Sequence, residues 1–121
     1  MRSISVRADV EKNRLYLTLA GEPTLDKVKV VKRVIESELL KLQPGFAILN
    51  DSRDLKLNSA RSFELIQDVM EMIAKAKPGK IARLASPVSR MMLSRASAIV
   101  GFNVKEFSDL KKAEEYLNYS F

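Results

Sequence analysis

The first twenty residues contain two runs in which apolar and polar side chains alternate. Residues 4–10 and 14–19 follow this pattern, and the turn Glu11-Lys12-Asn13 lies between them. An alternating run has one apolar and one polar face, which is typical of a strand buried on one side. Two such runs around a short turn predict an antiparallel hairpin. Because a strand buried on both faces would be apolar throughout, the pattern also favours helices mainly on one side of the sheet.

From Thr24 onwards the spacing of apolar residues becomes helical. Thr24 or Asp26 is the expected N-cap, and apolar residues then recur every three or four positions as far as Leu42. Gln43-Pro44-Gly45 ends this helix, and the apolar run Phe46–Leu49 predicts a third strand. A helix between two strands of one sheet is a crossover connection, so we expect the sheet to be parallel from this strand onwards.

The succession of helix and strand then repeats. The expected elements are a helix at Ser59–Ala76, a strand at Lys80–Ala85, a helix from Ser86-Pro87, a strand at Val104–Phe107 and a last helix. The predicted buried stripe of the helix after Ser86-Pro87 is Val88, Met92, Ala96 and Ile99. The prediction is an α/β fold: an N-terminal β-hairpin leads into a mostly parallel sheet of four or five strands, with about four helices mainly on one face. Residues 1–121 are expected to form one domain.

Polar residues collect where the third predicted strand ends. Asn50-Asp51 follows Leu49 directly, Asp54 lies in a polar segment, and Asn58-Ser59 opens the second helix. Binding groups of α/β proteins gather at the carboxyl ends of strands and at the N-termini of helices. We therefore predict a partner- or ligand-binding loop here, with the start of the third helix beside it. The candidate residues are Asp51, Asp54, Asn58, Ser59, Ser62, Ser86 and Arg90.

The same residues also fit simpler roles. Asn58 or Ser59 would act as an N-cap, as would Ser86, and the two aspartates would cap turns. Paired carboxylates can bind Mg²⁺ or transfer protons, but no third carboxylate or nucleophile with a base accompanies Asp51 and Asp54. A hydroxyl at a helix N-terminus is also a favourable place for a phosphate, because unpaired N–H groups and the helix dipole attract anions.

Composition narrows the chemistry further. The chain has no His and no Cys, which excludes thiol catalysis, Ser-His-Asp triads, imidazole acid–base chemistry and the usual zinc sites. Neither of the common glycine motifs for nucleotide phosphates occurs in it. We therefore predict a protein that is not an enzyme and needs no cofactor or metal. The absence of cysteine is compatible with the cytoplasm, where we expect the protein to be located.

The charge distribution suggests one further surface. The net charge is +6, and no acidic residue occurs between Glu71 and Glu106. The basic residues in that interval are Lys75, Lys77, Lys80, Arg83, Arg90, Arg95 and Lys105. They could form an anion-attracting face or be scattered surface charges. Nucleic-acid binding ranks last among the hypotheses, because no recognition motif with interleaved aromatic residues is present. No apolar run is long enough for a membrane span.

Several short motifs, in order along the chain, resemble the STAS domain of bacterial anti-sigma factor antagonists. Leu19-Ala20-Gly21-Glu22 with Leu25-Asp26 is similar to the family's turn from strand to first helix. The similarity continues through the following segments: Leu49-Asn50-Asp51, Asp54-Leu55, Leu57-Asn58-Ser59, Ala85-Ser86-Pro87-Val88, Gly101-Phe102, Phe107 and Ala113. The residues from Ala113 to Leu117 resemble the SpoIIAA-like branch of the family, also called STAS/SEC14-like, whose members mostly have no assigned function.

The resemblance implies a role for Ser59. It aligns with the serine that a partner kinase phosphorylates in the antagonists. The family's Asp-Ser-Ser-Gly-Leu signal reads Asn58-Ser59-Ala60-Arg61-Ser62 here, with Asn and Arg in place of Asp and Gly. The resemblance therefore implies a phosphorylation site at Ser59 that is either active or vestigial.

Two functions follow as hypotheses. The first is a non-enzymatic regulatory module that binds a protein partner, such as an anti-sigma-type kinase, through residues 51–63. The alternative is a carrier of a small anion, nucleotide or lipid that uses the helix N-termini at Ser59 and Ser86. A homodimer is also possible. Its candidate surfaces are an open sheet face with Arg7, Arg14, Tyr16 and Thr18, and an aromatic tail with Tyr116, Tyr119 and Phe121.

Overall fold

The structure, a computed structural model, describes residues 3–119 of the 121-residue chain. Within these residues, strands and helices follow one another in the order β1 (Ser5–Asp9), β2 (Arg14–Gly21), α1 (Leu25–Leu39), β3 (Ala47–Leu55), α2 (Ala60–Ala74), β4 (Lys80–Ala85), α3 (Pro87–Val100), β5 (Asn103–Glu106) and α4 (Leu110–Asn118). The N-caps of the four helices are Thr24, Ser59, Ser86 and Asp109, and each side chain accepts a backbone N–H of the first turn.

The strands form a sheet in the sequential order β1-β2-β3-β4-β5. Strands β1 and β2 pair antiparallel around a turn in which Asn13 has a φ of 50°, a value that Asn tolerates better than most residues. The pairs from β2 to β5 are all parallel. The predicted hairpin and the predicted parallel sheet are thus both confirmed.

The two faces of the sheet carry different numbers of helices. Val28 of α1, Ile66 of α2 and Leu93 of α3 belong to one core, which also contains Ile48 of β3. The next residue of that strand, Leu49, belongs to a second and smaller core. There it packs with Ala82, Leu84 and the α4 residues Ala113 and Leu117. Three helices therefore lie on one face and α4 on the other, which confirms the prediction that helices cover mainly one face.

The prediction of an open sheet face around Arg14 and Tyr16 is wrong, because α4 covers both side chains. Arg14 is only 3% exposed, and its Nη1 donates to Glu114 Oε1 at 2.9 Å. Tyr16 OH donates to the same carboxylate oxygen at 2.6 Å. Of the aromatic tail, Tyr116 packs on Phe107 with ring centroids 5.3 Å apart, Tyr119 is exposed, and Phe121 lies outside the described residues.

The free edge of β1 is partly covered by α1. Glu38 of α1 accepts the Ala8 backbone N–H at 2.9 Å and also pairs with Lys41 at 2.6 Å. The bond from Lys41, followed by the bond from Ala8, lowers the pKa of the Glu38 carboxyl below its usual value of 4.5. A charged side chain bound to an edge N–H discourages another strand from pairing there.

The two Pro-Gly turns that end α1 and α2 lie against each other. Gly45 N donates to Lys77 O at 2.7 Å, and Gly79 N donates to Phe46 O at 2.7 Å. A Cβ atom placed on Gly79 would lie 2.6 Å from Gly45 O, so only glycine fits at residue 79 without a backbone shift. This contact holds the starts of β3 and β4 side by side.

Helix α3 is rotated relative to the predicted stripe. Ala96 is buried as predicted, but Val88 is 80% exposed and Ile99 57% exposed. The buried face consists of Ser89, Leu93, Ala96 and Ser97. The prediction is therefore confirmed for Ala96 and for Met92, which packs against the core, and is wrong for Val88 and Ile99. It assigned only apolar residues to the core, whereas the core beside α3 contains polar groups that bond to serines.

Candidate functional site

Strand β3 extends well beyond the point where the polar residues predicted its end. It runs for nine residues, and Asn50, Asp51 and Ser52 are all buried within it. Asp51 and Asp54 therefore belong to a strand, and the prediction that they flank a loop is wrong. Polar residues can occupy a central strand when each of their polar atoms finds a hydrogen-bond partner.

A β-bulge near the end of β3 changes which way its side chains face. Thr18 of β2 pairs with Asp51 and Ala20 pairs with Asp54, so β3 contains one more residue than β2 over this interval. The extra residue shifts the alternation of side chains, and Leu55 reaches the same core as Ile48 although the two are seven positions apart. Bulges commonly redirect side chains beside functional sites.

Asp51 forms a two-pronged ion pair with Arg53 on its own strand. Arg53 Nε donates to Asp51 Oδ1 at 2.9 Å, and Arg53 Nη2 donates to Asp51 Oδ2 at 2.8 Å. The bond with Asp51 raises the pKa of the Arg53 guanidinium, although burial acts in the opposite direction. The Asp51 carboxylate is buried, and this pairing gives it a structural role at the edge of the site.

A buried polar row crosses the sheet one residue before Asp51. Asn50, Arg83 and Glu106 occupy matching positions on β3, β4 and β5. Arg83 is 2% exposed, and its Nε donates to Asn50 Oδ1 at 3.2 Å. Arg83 Nη2 donates to Ser97 Oγ of α3 at 2.8 Å, and Nη1 lies 3.7 Å from Glu106 Oε1. Burial lowers the pKa of the Arg83 guanidinium, and Glu106 partly opposes this effect.

The hydrogen bonding of this row is incomplete within the described residues. Arg83 Nη1 and both carboxylate oxygens of Glu106 have no hydrogen-bond partner, although the two groups form an ion pair. A cavity of about 30 Å³ lies beside the row, lined by Asn50, Arg83 and apolar side chains of α2 and α3. From the sequence Arg83 is only one of the basic residues between Glu71 and Glu106, because nothing in the local pattern distinguishes a buried arginine from an exposed one.

A cleft of about 390 Å³ opens at the carboxyl ends of the central strands. Its lining residues are Gly21, Arg53, Asp54, Leu55, Lys56, Leu57, Asn58, Ser86, Val88 and Ser89. The structure thus brings together Asp54, Asn58 and Ser86 of the predicted loop. It adds the cations Arg53 and Lys56, which the sequence analysis did not select. Side chains two positions apart in a strand lie on the same face. A prediction that extended β3 beyond Leu49 would therefore have placed Arg53 on the same face as Asp51.

Ser59 lies at the N-terminus of α2, next to the cleft residue Asn58. Its side chain is exposed, and its Oγ accepts the Ser62 backbone N–H at 3.1 Å as an N-cap. Ser62 Oγ lies 3.1 Å from Ser59 Oγ, but Ser62 is only 2% exposed. Ser59 can therefore meet a partner or a kinase directly, whereas Ser62 supports the cap from inside the fold.

Ser86 lines the cleft at the start of α3, whereas Arg90, about one turn further along, does not. Ser86 caps the helix by accepting the Ser89 N–H at 3.2 Å, and it lines the cleft. Ser89 Oγ donates to Leu55 O at 3.0 Å, which joins α3 to the end of β3. Arg90 is exposed and does not line the cleft. Arg90, which the sequence placed with the binding loop, therefore does not join Asp54, Asn58 and Ser86 in the cleft.

Two features are not found within residues 3–119. No group of three or more acidic side chains could hold a metal ion there. None of the helices has the length and apolar character that crossing a bilayer requires.

Comparison with solved structures identifies the fold. An uncharacterised protein of the DUF3478 family from Shewanella loihica, described as having a SpoIIAA-like fold, superposes with a TM-score of 0.71. The match covers 95% of this chain and 92% of that protein at 16% identity. The chain has the SpoIIAA-like fold. An anti-sigma factor antagonist from Mycobacterium paratuberculosis shares this fold, with a TM-score of 0.61, 14% identity and coverage of 97% and 96%.

The SpoIIAA-like fold is identified by comparison of structures and not by comparison of sequences. No protein-family model matches the sequence, and no curated protein matches it at a significant level. The resemblance to STAS domains, which was drawn from short motifs along the chain, is confirmed for the fold.

Proposed function

We propose that this chain is a non-enzymatic regulatory module that binds a protein partner through Ser59, Asn58 and the adjoining cleft. We propose further that residues 1–121 form one domain and act in the cytoplasm. The position of Ser59 is the observation that carries it. Ser59 is an exposed serine at the N-terminus of α2, in a chain that shares its fold with an anti-sigma factor antagonist over nearly its whole length.

The chemistry of this position suits a phosphate-controlled contact. The first N–H groups of a helix and the positive end of its dipole stabilise an anion placed there. A phosphate on Ser59 would add a charge of about −1.5 to −2 to an exposed surface. Such a charge repels a partner that binds the neutral form of that surface, so a kinase-type regulator is the partner class that fits best.

Substitutions at Ser59 distinguish a phosphorylation switch from a residue that only caps helix α2. Ser59→Ala is expected to lower the free energy of unfolding by about 1 kcal/mol, because the cap is lost, while partner binding is retained. Ser59→Asp is expected to preserve stability, because Asp caps as well as Ser, and to weaken partner binding at least about tenfold through its charge. Urea denaturation measures the first quantity, and quantitative co-purification from the source cells measures the second.

A matched control adds the same charge elsewhere. Ser108→Asp introduces a carboxylate at an exposed position just before α4 and outside the residues that line the cleft, and is expected to leave partner binding unchanged. If Ser59 is only a cap, Ser59→Asp will bind like the wild type. That result, or the absence of any protein enriched by the wild-type chain, would contradict the proposal.

The cleft supports a second candidate function, the binding of a small anionic ligand. Its volume of about 390 Å³ falls within the range of ligand pockets, roughly 300–1,000 Å³, and Arg53 and Lys56 line it. A thermal-shift screen of nucleotides, phosphates and fatty acids tests this idea, because a ligand that binds the native state raises the melting temperature. The rise should disappear in Lys56→Glu. A screen in which no compound raises the melting temperature would contradict ligand binding.

A further inference from the structure

The outward face of α3 carries large apolar side chains in contact with solvent. Val88 and Met91 are each 80% exposed, and Ile99 is 57% exposed. With 100° of rotation per residue, Val88, Met91, Arg95, Ala98 and Ile99 fall on one side of the helix, opposite the buried Leu93. We call these five residues the α3 seam. It runs about 16 Å along the helix.

The rotation of α3 has a specific physical cause. Ser97 Oγ accepts a hydrogen bond from the buried Arg83, and Ser89 Oγ donates to Leu55 O. Turning the seam inward would remove both serines from these partners and leave Nη2 of the buried Arg83 without its acceptor Ser97, which is costly. The fold therefore holds the seam outward.

The spacing of the seam matches one side of a helix pair. Val88, Met91, Arg95 and Ala98 are separated by three, four and three residues, which is the a-d-a-d spacing of a coiled-coil contact. Apolar residues at three such positions favour burial against a second helix. A single charged residue within the contact demands an opposite charge on the partner, which selects one partner and one register.

The charges around the seam are of one sign. Helix α3 contains Arg90 and Arg95 and no acidic residue. Within residues 3–119, neither arginine forms an ion pair. The exposed apolar residues of α1 differ in this respect, because Val30 and Val34 lie among Lys29, Arg33 and Glu36, a mixture typical of a solvated face.

We propose that the α3 seam binds an amphipathic helix of another protein, which places apolar residues on Val88, Met91 and Ile99 and a carboxylate against Arg95. The carboxylate supplies the opposite charge that Arg95 lacks among the described residues, and the apolar contacts remove the exposed surface from water. This surface shares Val88 with the cleft but does not include Ser59. The inference therefore goes beyond the proposed function and stands independently of any switch at that residue.

A second copy of this chain fits the seam less well. An antiparallel pairing of two α3 helices would bring two Arg95 side chains into the middle of one apolar contact, and like charges so placed repel. An anionic membrane surface fits less well too. Helices that lie on membranes combine basic residues with Trp, Phe or Leu, whereas α3 has no aromatic residue and places Arg95 inside its apolar stripe.

Selection from a displayed library of amphipathic helices tests the inference without knowledge of the natural partner. The library fixes apolar residues at the a and d positions and randomises all others. It is selected against the full chain, with Met91→Glu used for counter-selection. We expect the enriched helices to carry Asp or Glu at one recurring position. Their affinity should fall about tenfold in Arg95→Glu and return when that acidic residue is replaced by Lys.

Control variants distinguish binding at the α3 seam from nonspecific hydrophobic binding and from misfolding. Val30→Glu alters an apolar residue of α1 that is 60% exposed, close to the 57% of Ile99, and should leave the affinity unchanged. Ile99→Glu provides a second change within the seam and should weaken binding like Met91→Glu. All four variants should melt within about 2 °C of the wild type, because surface substitutions have small effects on stability.

Other outcomes would overturn the inference. Enriched helices without a recurring acidic residue, or a charge exchange at Arg95 that fails to restore affinity, would show that no carboxylate is recognised there. A dimer in analytical ultracentrifugation that Met91→Glu dissolves would assign the seam to a second copy. Binding to phosphatidylserine vesicles that both Met91→Glu and Arg95→Glu abolish would assign it to a membrane surface.

Discussion

Replacing Arg83 with methionine is expected to lower the free energy of unfolding by about 3–4 kcal/mol. The substitution removes a buried cation, leaves Asn50 Oδ1 and Ser97 Oγ without that donor, and leaves the Glu106 carboxylate without its ion-pair partner. Breaking a buried ion pair from one side is strongly destabilising, because the remaining charge stays buried without compensation. The midpoint of urea denaturation measures the loss. At about 4 °C per kcal/mol, the melting temperature should fall by more than 10 °C.

Further substitutions test whether the ion pair between Arg83 and Glu106 accounts for this loss of stability. Arg83→Met combined with Glu106→Leu should recover a large part of the loss, because a well-packed apolar pair can replace a buried ion pair. Glu106→Gln alone should cost less than Arg83→Met, since Glu106 keeps 26% of its side chain exposed. If Arg83→Met costs less than about 1 kcal/mol, the row across β3, β4 and β5 does not stabilise the sheet in the way described.

Replacing Gly79 with alanine is expected to cost about 2–3 kcal/mol. The added Cβ would lie 2.6 Å from the carbonyl oxygen of Gly45, and the atom that it meets belongs to the backbone. Relief of this overlap requires the two Pro-Gly turns to separate, which weakens the bond from Gly79 N to Phe46 O. Overpacking in close-packed regions has costs of this size. Chemical denaturation, read from the change in midpoint, provides the measurement.

Two other glycines provide matched controls for this substitution. Gly45 and Gly101 have φ values of +87° and +80°, and a Cβ on either would meet no atom within 4 Å. Gly45→Ala and Gly101→Ala should therefore cost only the backbone strain of the left-handed region, about 1 kcal/mol. A Gly79→Ala variant as stable as these two would contradict the close contact between the turns.

The buried row also connects the fold to both proposed surfaces. Asn50, Arg83 and Ser97 tie β3, β4 and α3 together, and Ser89 joins α3 to the end of β3. These bonds determine how α3 is rotated, and the rotation sets which side chains face solvent. The buried polar residues thus determine which side chains of α3 are exposed to solvent. One of these, Val88, belongs to both the α3 seam and the cleft.

Much of the fold was predictable from the sequence, because the relevant signals are local. The change of apolar period predicted the order of strands and helices. Gln43-Pro44-Gly45 predicted a stop between α1 and β3, although α1 ends earlier, at Leu39. Thr24, Ser59 and Ser86 were named as possible caps, and the structure places each of them at an N-cap. A capping side chain bonds the backbone two or three residues further on, so its role depends on its nearest neighbours alone.

Less of the candidate site was predictable. Asp54, Asn58 and Ser86 line one cleft as the predicted loop suggested, but Asp51 is paired inside the sheet and Ser62 is buried. The cations Arg53 and Lys56 were missed, because the polar residues after Leu49 indicated the end of a strand. Whether a polar run continues a strand depends on partners in neighbouring strands, and those partners lie more than thirty residues away.

The sequence by itself determined the succession of elements, the antiparallel start of the sheet, its parallel continuation and the location of Ser59 at a helix N-terminus. Each follows from the period of apolar residues or from a short turn or cap. Only the tertiary structure decided the length of β3, the burial of Arg83 and the outward face of α3. These depend on which atoms meet across the sheet: Arg83 reaches the core beside Asn50 and Ser97, and the need to satisfy its hydrogen bonds places two serines inside and Val88, Met91 and Ile99 outside.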